Sequence, residues 1–146
     1  MKIAVGADHA AFLVKQELIS YLENKGLEVY DLGTDSEDSV DYPIFGQKVS
    51  KSILSGKTDR GIVICGTGIG ISIAANRFKN IRATLCANKS HAEMARKHNN
   101  SNVLALGART TDMETIKEIV DVWLYTDFEG GRHQDRIELI ERIKDE

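Results

Sequence analysis

The 146 residues, 42% hydrophobic and 28% charged, have the size and composition of one folded domain that buries roughly 70% of its unfolded-chain surface. A net charge of −3 leaves no broad basic face and argues against nucleic acid or an acidic membrane as partner. No apolar run can span a bilayer, Met1 to Val5 lacks the regions of a signal peptide, and Cys65 and Cys86 form no C-x-x-C. The expectation is a cytoplasmic protein with free thiols, no disulfide framework and no structural zinc.

Ile3-Ala4-Val5 reads as a first strand. Ala11, Val14, Leu18 and Leu22 then share a helical face, with Gly26 where a C-cap belongs. Leu27 to Leu32 forms a second strand, and the Ser-, Asp- and Thr-rich stretch from Gly33 to Asp41 is a loop in the length range of functional ones. Gly61 to Ile64 is a third strand, followed at once by Ile71, Ala74, Ala75 and Phe78 at helical spacing. Arg82 to Ala87 is a fourth strand and Val103 to Leu106 a fifth. Capping boxes at Ser90 with Glu93 and at Thr111 with Glu114 start the next two helices, the latter carrying Ile116, Ile119, Val120 and Trp123. Beyond Gly130-Gly131, Ile137, Ile140 and Ile143 predict a helix over about 132–145 that covers the sheet or packs on a second subunit. Alternating strands and helices predict an α/β fold, a three-layer α/β/α sandwich on a five-stranded parallel Rossmann-like sheet, in a single domain over residues 1–146.

In such sheets ligands bind beyond the carboxyl ends of the strands, where the polar residues of this chain gather. Ile62 to Ile64 delivers Cys65 to the turn Gly66-Thr67-Gly68-Ile69-Gly70, whose free amides are expected to crowd around the sulfur and favour a thiolate or a neighbouring oxyanion. The glycine spacing fails the dinucleotide fingerprint at Ile71 and there is no Walker lysine, leaving a nest for one anion with the Thr67 hydroxyl added. Cys65 is then a nucleophile, a general base or a plain core residue; Cys86, without a nest, reads as core. Asp8 and His9 follow the first strand, and Asp8 also suits an N-cap. His98 falls in the last turn of a helix, where the dipole favours imidazolium and proton transfer, with Asn99 beside it; His91 reads as surface. Arg109 follows the fifth strand, and Arg132 and Arg136 share a helical face as a phosphate clamp or a solvated edge.

Taken together, Gly6-Ala7-Asp8-His9, Asp41-Tyr42-Pro43, Ile64 to Ser72, His98-Asn99 and Glu129-Gly130-Gly131-Arg132-His133-Gln134-x-Arg136 resemble the B-type ribose-5-phosphate isomerases, a family that also holds allose- and galactose-6-phosphate isomerases. The resemblance implies aldose–ketose isomerisation of ribose 5-phosphate and ribulose 5-phosphate through an enediolate, without a metal or other cofactor. It implies Cys65 as the base between C1 and C2, since Ile71-Ser72 stand where one branch of the family carries a glutamate. Gly66, Thr67, Gly68, Ile69 and Gly70 match the anion hole, His98 the ring-opening residue, and Asp8, His9 and Asn99 substrate contacts. Tyr42 matches a pocket wall, and Arg109, Arg132 and Arg136 match the phosphate-binding arginines. It also implies a homodimer or a pair of dimers with sites between subunits. A six-carbon sugar phosphate is the nearest rival; a non-catalytic sugar-phosphate sensor and a thiol-dependent hydrolase are alternatives of other classes.

Overall fold

The computed structural model describes residues 1–142. Strands β1 (Lys2–Ala7), β2 (Glu28–Asp31), β3 (Arg60–Cys65), β4 (Ala83–Leu85) and β5 (Val103–Gly107) form one sheet in the order β2-β1-β3-β5-β4. Every pairing is parallel, with Ala7 opposite Ile64 and Cys65 opposite Gly107. The chain winds outward from β1 in one direction to β2 and in the other to β3. The switch point therefore lies between β1 and β3, with Asp8 and Cys65 at its mouth.

Helices α1 (Phe12–Asn24), α2 (Tyr42–Leu54), α3 (Ile69–Ala75), α4 (Lys89–Asn99), α5 (Met113–Tyr125) and α6 (Arg132–Glu141) surround the sheet. Alternate strand residues feed two cores. Ile3, Val5, Ile62, Ile64, Leu104 and Leu106 pack with Leu18, Leu22, Ile116, Ile119 and Trp123 of α1 and α5. Ala4, Val63, Cys65, Val103 and Ala105 pack with Phe45, Val49 and Ile71 of α2 and α3. Strands buried on both faces are what an α/β/α sandwich requires. Among the described residues, no helix is long and apolar enough to cross a membrane.

Several boundaries depart from the sequence expectations. Strand ends fall up to two residues from the expected bounds, β1 being three residues longer and β4 three shorter, and a helix over Tyr42–Leu54 stands where periodicity singled out none. Its buried face includes Gly46, Ser50 and Ser52 beside Phe45 and Val49, so small and polar residues hide its apolar stripe. Neither expected capping box starts its helix. The Asn88 carboxamide caps α4 by accepting from the His91 amide at 2.8 Å, and Asp112 caps α5 by accepting from the Thr115 amide at 2.9 Å. Short Asn and Asp side chains are at least as good at this as Ser or Thr. Gly26 does close α1: its amide donates to the Glu23 carbonyl and the Leu27 amide to the Leu22 carbonyl, the paired bonds of a Schellman turn.

The C-terminal helix packs on α4 rather than on the sheet. Ile137 is buried, Ile140 is exposed, and Ile143 lies outside the described residues. Glu141 docks the far end of α6, pairing with Arg82 at 2.9 Å and accepting from the Asn80 amide at 2.9 Å.

Candidate active site

Cys65 ends β3 only 4% exposed, at the floor of a cavity of about 490 Å³ lined by Asp8, Tyr42, Gly66, Thr67, Ile69, Gly70 and Ile73. That volume suits a small metabolite. The sulfur accepts one amide, from Gly68 at 3.2 Å. Of the amides expected around it only this one makes a bond, and the Ile69 amide donates instead to the Thr67 hydroxyl at 3.2 Å. The turn thus offers the sulfur one fixed donor and holds Thr67 in place beside it.

Two contacts explain the glycines of this turn. Gly68 has φ +79°, and a Cβ there would lie 2.6 Å from the Leu85 side chain and 2.8 Å from the Leu106 backbone. At Gly70 a Cβ would meet the Tyr42 ring at 2.5 Å, so Tyr42 closes one wall of the cavity directly over the first turn of α3. Pro43 sits in the first turn of α2, where its missing N–H costs nothing.

The neighbouring strand ends bring further groups. Asp8 is buried, with one carboxylate oxygen accepting from the Ala10 amide at 3.1 Å. His9 accepts the Val40 amide on Nδ1 at 3.1 Å, which places the proton of the neutral ring on Nε2 and pins the end of the β2–α2 loop. The start of that loop is pinned by Lys15. Its buried ammonium donates to Asp31 at 2.9 Å and to the Thr34 carbonyl at 2.6 Å. Arg109 is held over the turn by its amide, which donates to the Gly66 carbonyl at 3.0 Å. A Cβ on Gly66 would lie 3.7 Å from its guanidinium.

His98, Arg132 and Arg136 belong to a second group, and none of them lines the Cys65 cavity. His98, in the last turn of α4, stacks on His133 of α6 with ring centroids 4.3 Å apart and faces Glu129 at 3.7 Å. Burial pulls the His133 imidazole below the usual histidine range; His98 and Arg132 push the same way, against Glu129. Arg132 and Arg136 are exposed on α6, and Asn99 lines a separate hollow with Leu85, Cys86 and Met94. The α4 terminus that carries His98 is held by buried Arg96, which donates to the Ser101 carbonyl at 2.6 Å and the Thr126 carbonyl at 3.2 Å. One chain therefore assembles the thiol, the glycine turn, Asp8, His9, Tyr42 and Arg109, and presents His98, Asn99, Arg132 and Arg136 elsewhere. Sequence reasoning singled out neither Ile73, a wall of the cavity, nor Lys15. A lysine on the buried Ala11–Leu18–Leu22 face was the available signal for the latter.

A family model described as Ribose/Galactose Isomerase matches residues 3–140. The ribose-5-phosphate isomerase B of Escherichia coli is 48% identical over 98% of this chain and 96% of its own. A D-erythrulose-4-phosphate isomerase of Pectobacterium atrosepticum is 43% identical over 96% and 93%. The structure of Clostridium thermocellum ribose-5-phosphate isomerase B superposes with a TM-score of 0.96 at 50% identity, covering 97% of this chain and 95% of that one. The chain accordingly belongs to the ribose/galactose isomerase family.

Proposed function

We propose that this chain interconverts ribose 5-phosphate and ribulose 5-phosphate by proton transfer through an enediolate, in the cytoplasm, as a homodimer or a pair of dimers. The observation that carries the reading is the Cys65 thiol, seated in a metabolite-sized cavity with a backbone donor on its sulfur, in a chain closely related to enzymes named for that substrate.

Cys65 takes the proton from the carbon next to the carbonyl and returns it to the neighbouring carbon. Charge that develops on the enediolate oxygens is met by the turn from Gly66 to Gly70 and the Thr67 hydroxyl; losing one such donor costs about 3 to 4 kcal/mol in well-studied enzymes. Asp8 and the Nε2–H of His9 are placed to bind sugar hydroxyls, and Tyr42 walls the sugar. His98 of the partner subunit opens the sugar ring and Asn99 beside it contacts the substrate, while Arg109, Arg132 and Arg136 hold the phosphate. Binding energy from that unreactive end is available to orient the reacting carbons. Supporting a shared site, the cavity rim exposes Tyr42, Ile69 and Ile73, with exposed Leu85 packed against the same glycine turn. An apolar rim of this kind favours cover by a second protein surface.

The test is an NMR time course of ribose 5-phosphate in D₂O, run with Cys65→Ala and beside allose 6-phosphate and erythrulose 4-phosphate. Ribulose 5-phosphate that carries deuterium at C1, and is lost in Cys65→Ala, is the expected result. Faster turnover of another sugar reassigns the substrate. Binding without any turnover replaces the enzyme by a sensor, and a trapped acyl or phosphoryl thioester replaces it by a hydrolase.

A further inference from the structure

His98, Glu129 and His133 come from positions up to 35 residues apart, yet their donor atoms all lie within 4.8 Å of one another. From this clustering we infer that the three side chains bind one divalent transition-metal ion of the zinc class, and that the bound ion takes His98 out of use. Two imidazoles and one carboxylate are a donor set that suits zinc and cobalt and discriminates against magnesium and calcium.

The anchoring differs usefully among the three. His133 is 7% exposed, fixed in the first turn of α6 against α4. Glu129 is tethered by its amide, which donates to the Lys97 carbonyl at 3.1 Å, so its backbone is locked to the α4 terminus that carries His98. The side chains of His98 and Glu129 are 41% and 52% exposed and free to turn. Tetrahedral zinc at 2.0–2.1 Å from each donor needs the donors about 3.4 Å apart, a closure of roughly 1.4 Å from the present limit. Parallel stacked rings do not converge their lone pairs on one point, so His98 must turn out of its stack on His133 to bind. The present His98–Glu129 separation of 3.7 Å is too long for a hydrogen bond, and the pair loses no short contact in making room for an ion. Arg132 and Arg136 oppose the added charge, and Lys97 is already paired with Glu93. Binding in the micromolar range is the result to expect, with the fourth position left to water or an anion.

The binding claim stands on geometry alone; its effect on turnover rests on the isomerase reading, because a coordinated His98 nitrogen cannot exchange the ring-opening proton. Chelator-treated protein is titrated with Zn²⁺ and Co²⁺ by calorimetry, with Co²⁺ also followed by visible absorption and Mg²⁺ as comparison. One ion per chain is expected, weakened at least tenfold in Glu129→Gln and in His133→Asn, unchanged in Cys65→Ala, and without the charge-transfer band of a thiolate ligand. Glu129→Gln, at an exposed position, keeps the test valid if His133→Asn fails to fold. Absence of saturable micromolar binding overturns the proposal, as does binding that survives Glu129→Gln or disappears in Cys65→Ala. In the turnover assay, Zn²⁺ slows the parent reversibly and slows Glu129→Gln far less at the same concentration. Metal binding with no turnover under any condition counts against the isomerase reading and leaves the metal site standing.

Discussion

Two buried cysteines stand at strand ends, and only Cys65 lines the cavity over the glycine turn. Cys86 is buried in the core, and burial pushes its thiol up to about 11 from an ordinary 9.0. A raised thiol pKa means the folded chain holds its proton where the unfolded chain has lost it. The associated stability is therefore intact below pH 9 and lost between about pH 9 and 11, on the order of 2–3 kcal/mol in all. Denaturant melts of Cys86→Ala are expected to fall less steeply than the parent across that window, and Cys86 is expected to resist iodoacetamide at pH 8 in the native protein. The Gly68 position is constrained as tightly. Gly68→Ala forces a side chain to φ +79° and against Leu85 and the Leu106 backbone. A loss of about 2–4 kcal/mol is expected by chemical denaturation, together with a fall in kcat, since the same residue supplies the amide on Cys65.

At the scale of elements, the β2–α2 loop depends on a buried ammonium. Lys15 is 1% exposed and bonds to Asp31 and the Thr34 carbonyl. Lys15→Met keeps the volume and removes the donors, leaving the Thr34 carbonyl unpaired at an expected cost of about 1–3 kcal/mol. Because the other end of the loop is tied to His9, the change is expected to raise amide hydrogen exchange across residues 33–41 and to raise KM more than it lowers kcat. Unchanged exchange in the loop would show that the bond from the Thr34 amide to the Ala7 carbonyl and the His9 contact hold it without the ammonium. Helix α6 makes the complementary point. It lies on α4, so that His133 meets His98 while Arg132 and Arg136 stay exposed.

For the whole molecule, the division of the candidate site residues into two groups gives a sharp complementation test. If each site takes Cys65 from one subunit and His98 from the other, a mixed dimer of Cys65→Ala and His98→Asn holds one intact site and one doubly defective site. Equimolar refolding of the two inactive variants is expected to restore about a quarter of parental activity, by random pairing of a symmetric dimer. No recovery would place both residues of a working site in the same chain.

The strands, the glycine turn and the order of α/β units were legible because they follow from local patterns: apolar runs, helical periodicity and glycine where the backbone turns. Helix α2 was harder to read, since Gly46, Ser50 and Ser52 sit on its buried face, where close packing on α3 and the sheet replaces bulky apolar side chains. Caps at Asn88 and Asp112 lay one or two residues from the expected boxes because several polar residues at a helix start compete, and only the backbone path selects one. By itself the sequence determined the fold class and placed Asp8, Cys65 and Arg109 at strand ends that a parallel sheet brings to one edge. Tertiary structure alone decided that one amide rather than several reaches the sulfur, that Lys15 clamps the loop, and that His98 stands with Glu129 and His133 apart from the thiol. Those outcomes depend on how α4 and α6 pack and where the loops close, distances that no spacing along the chain encodes.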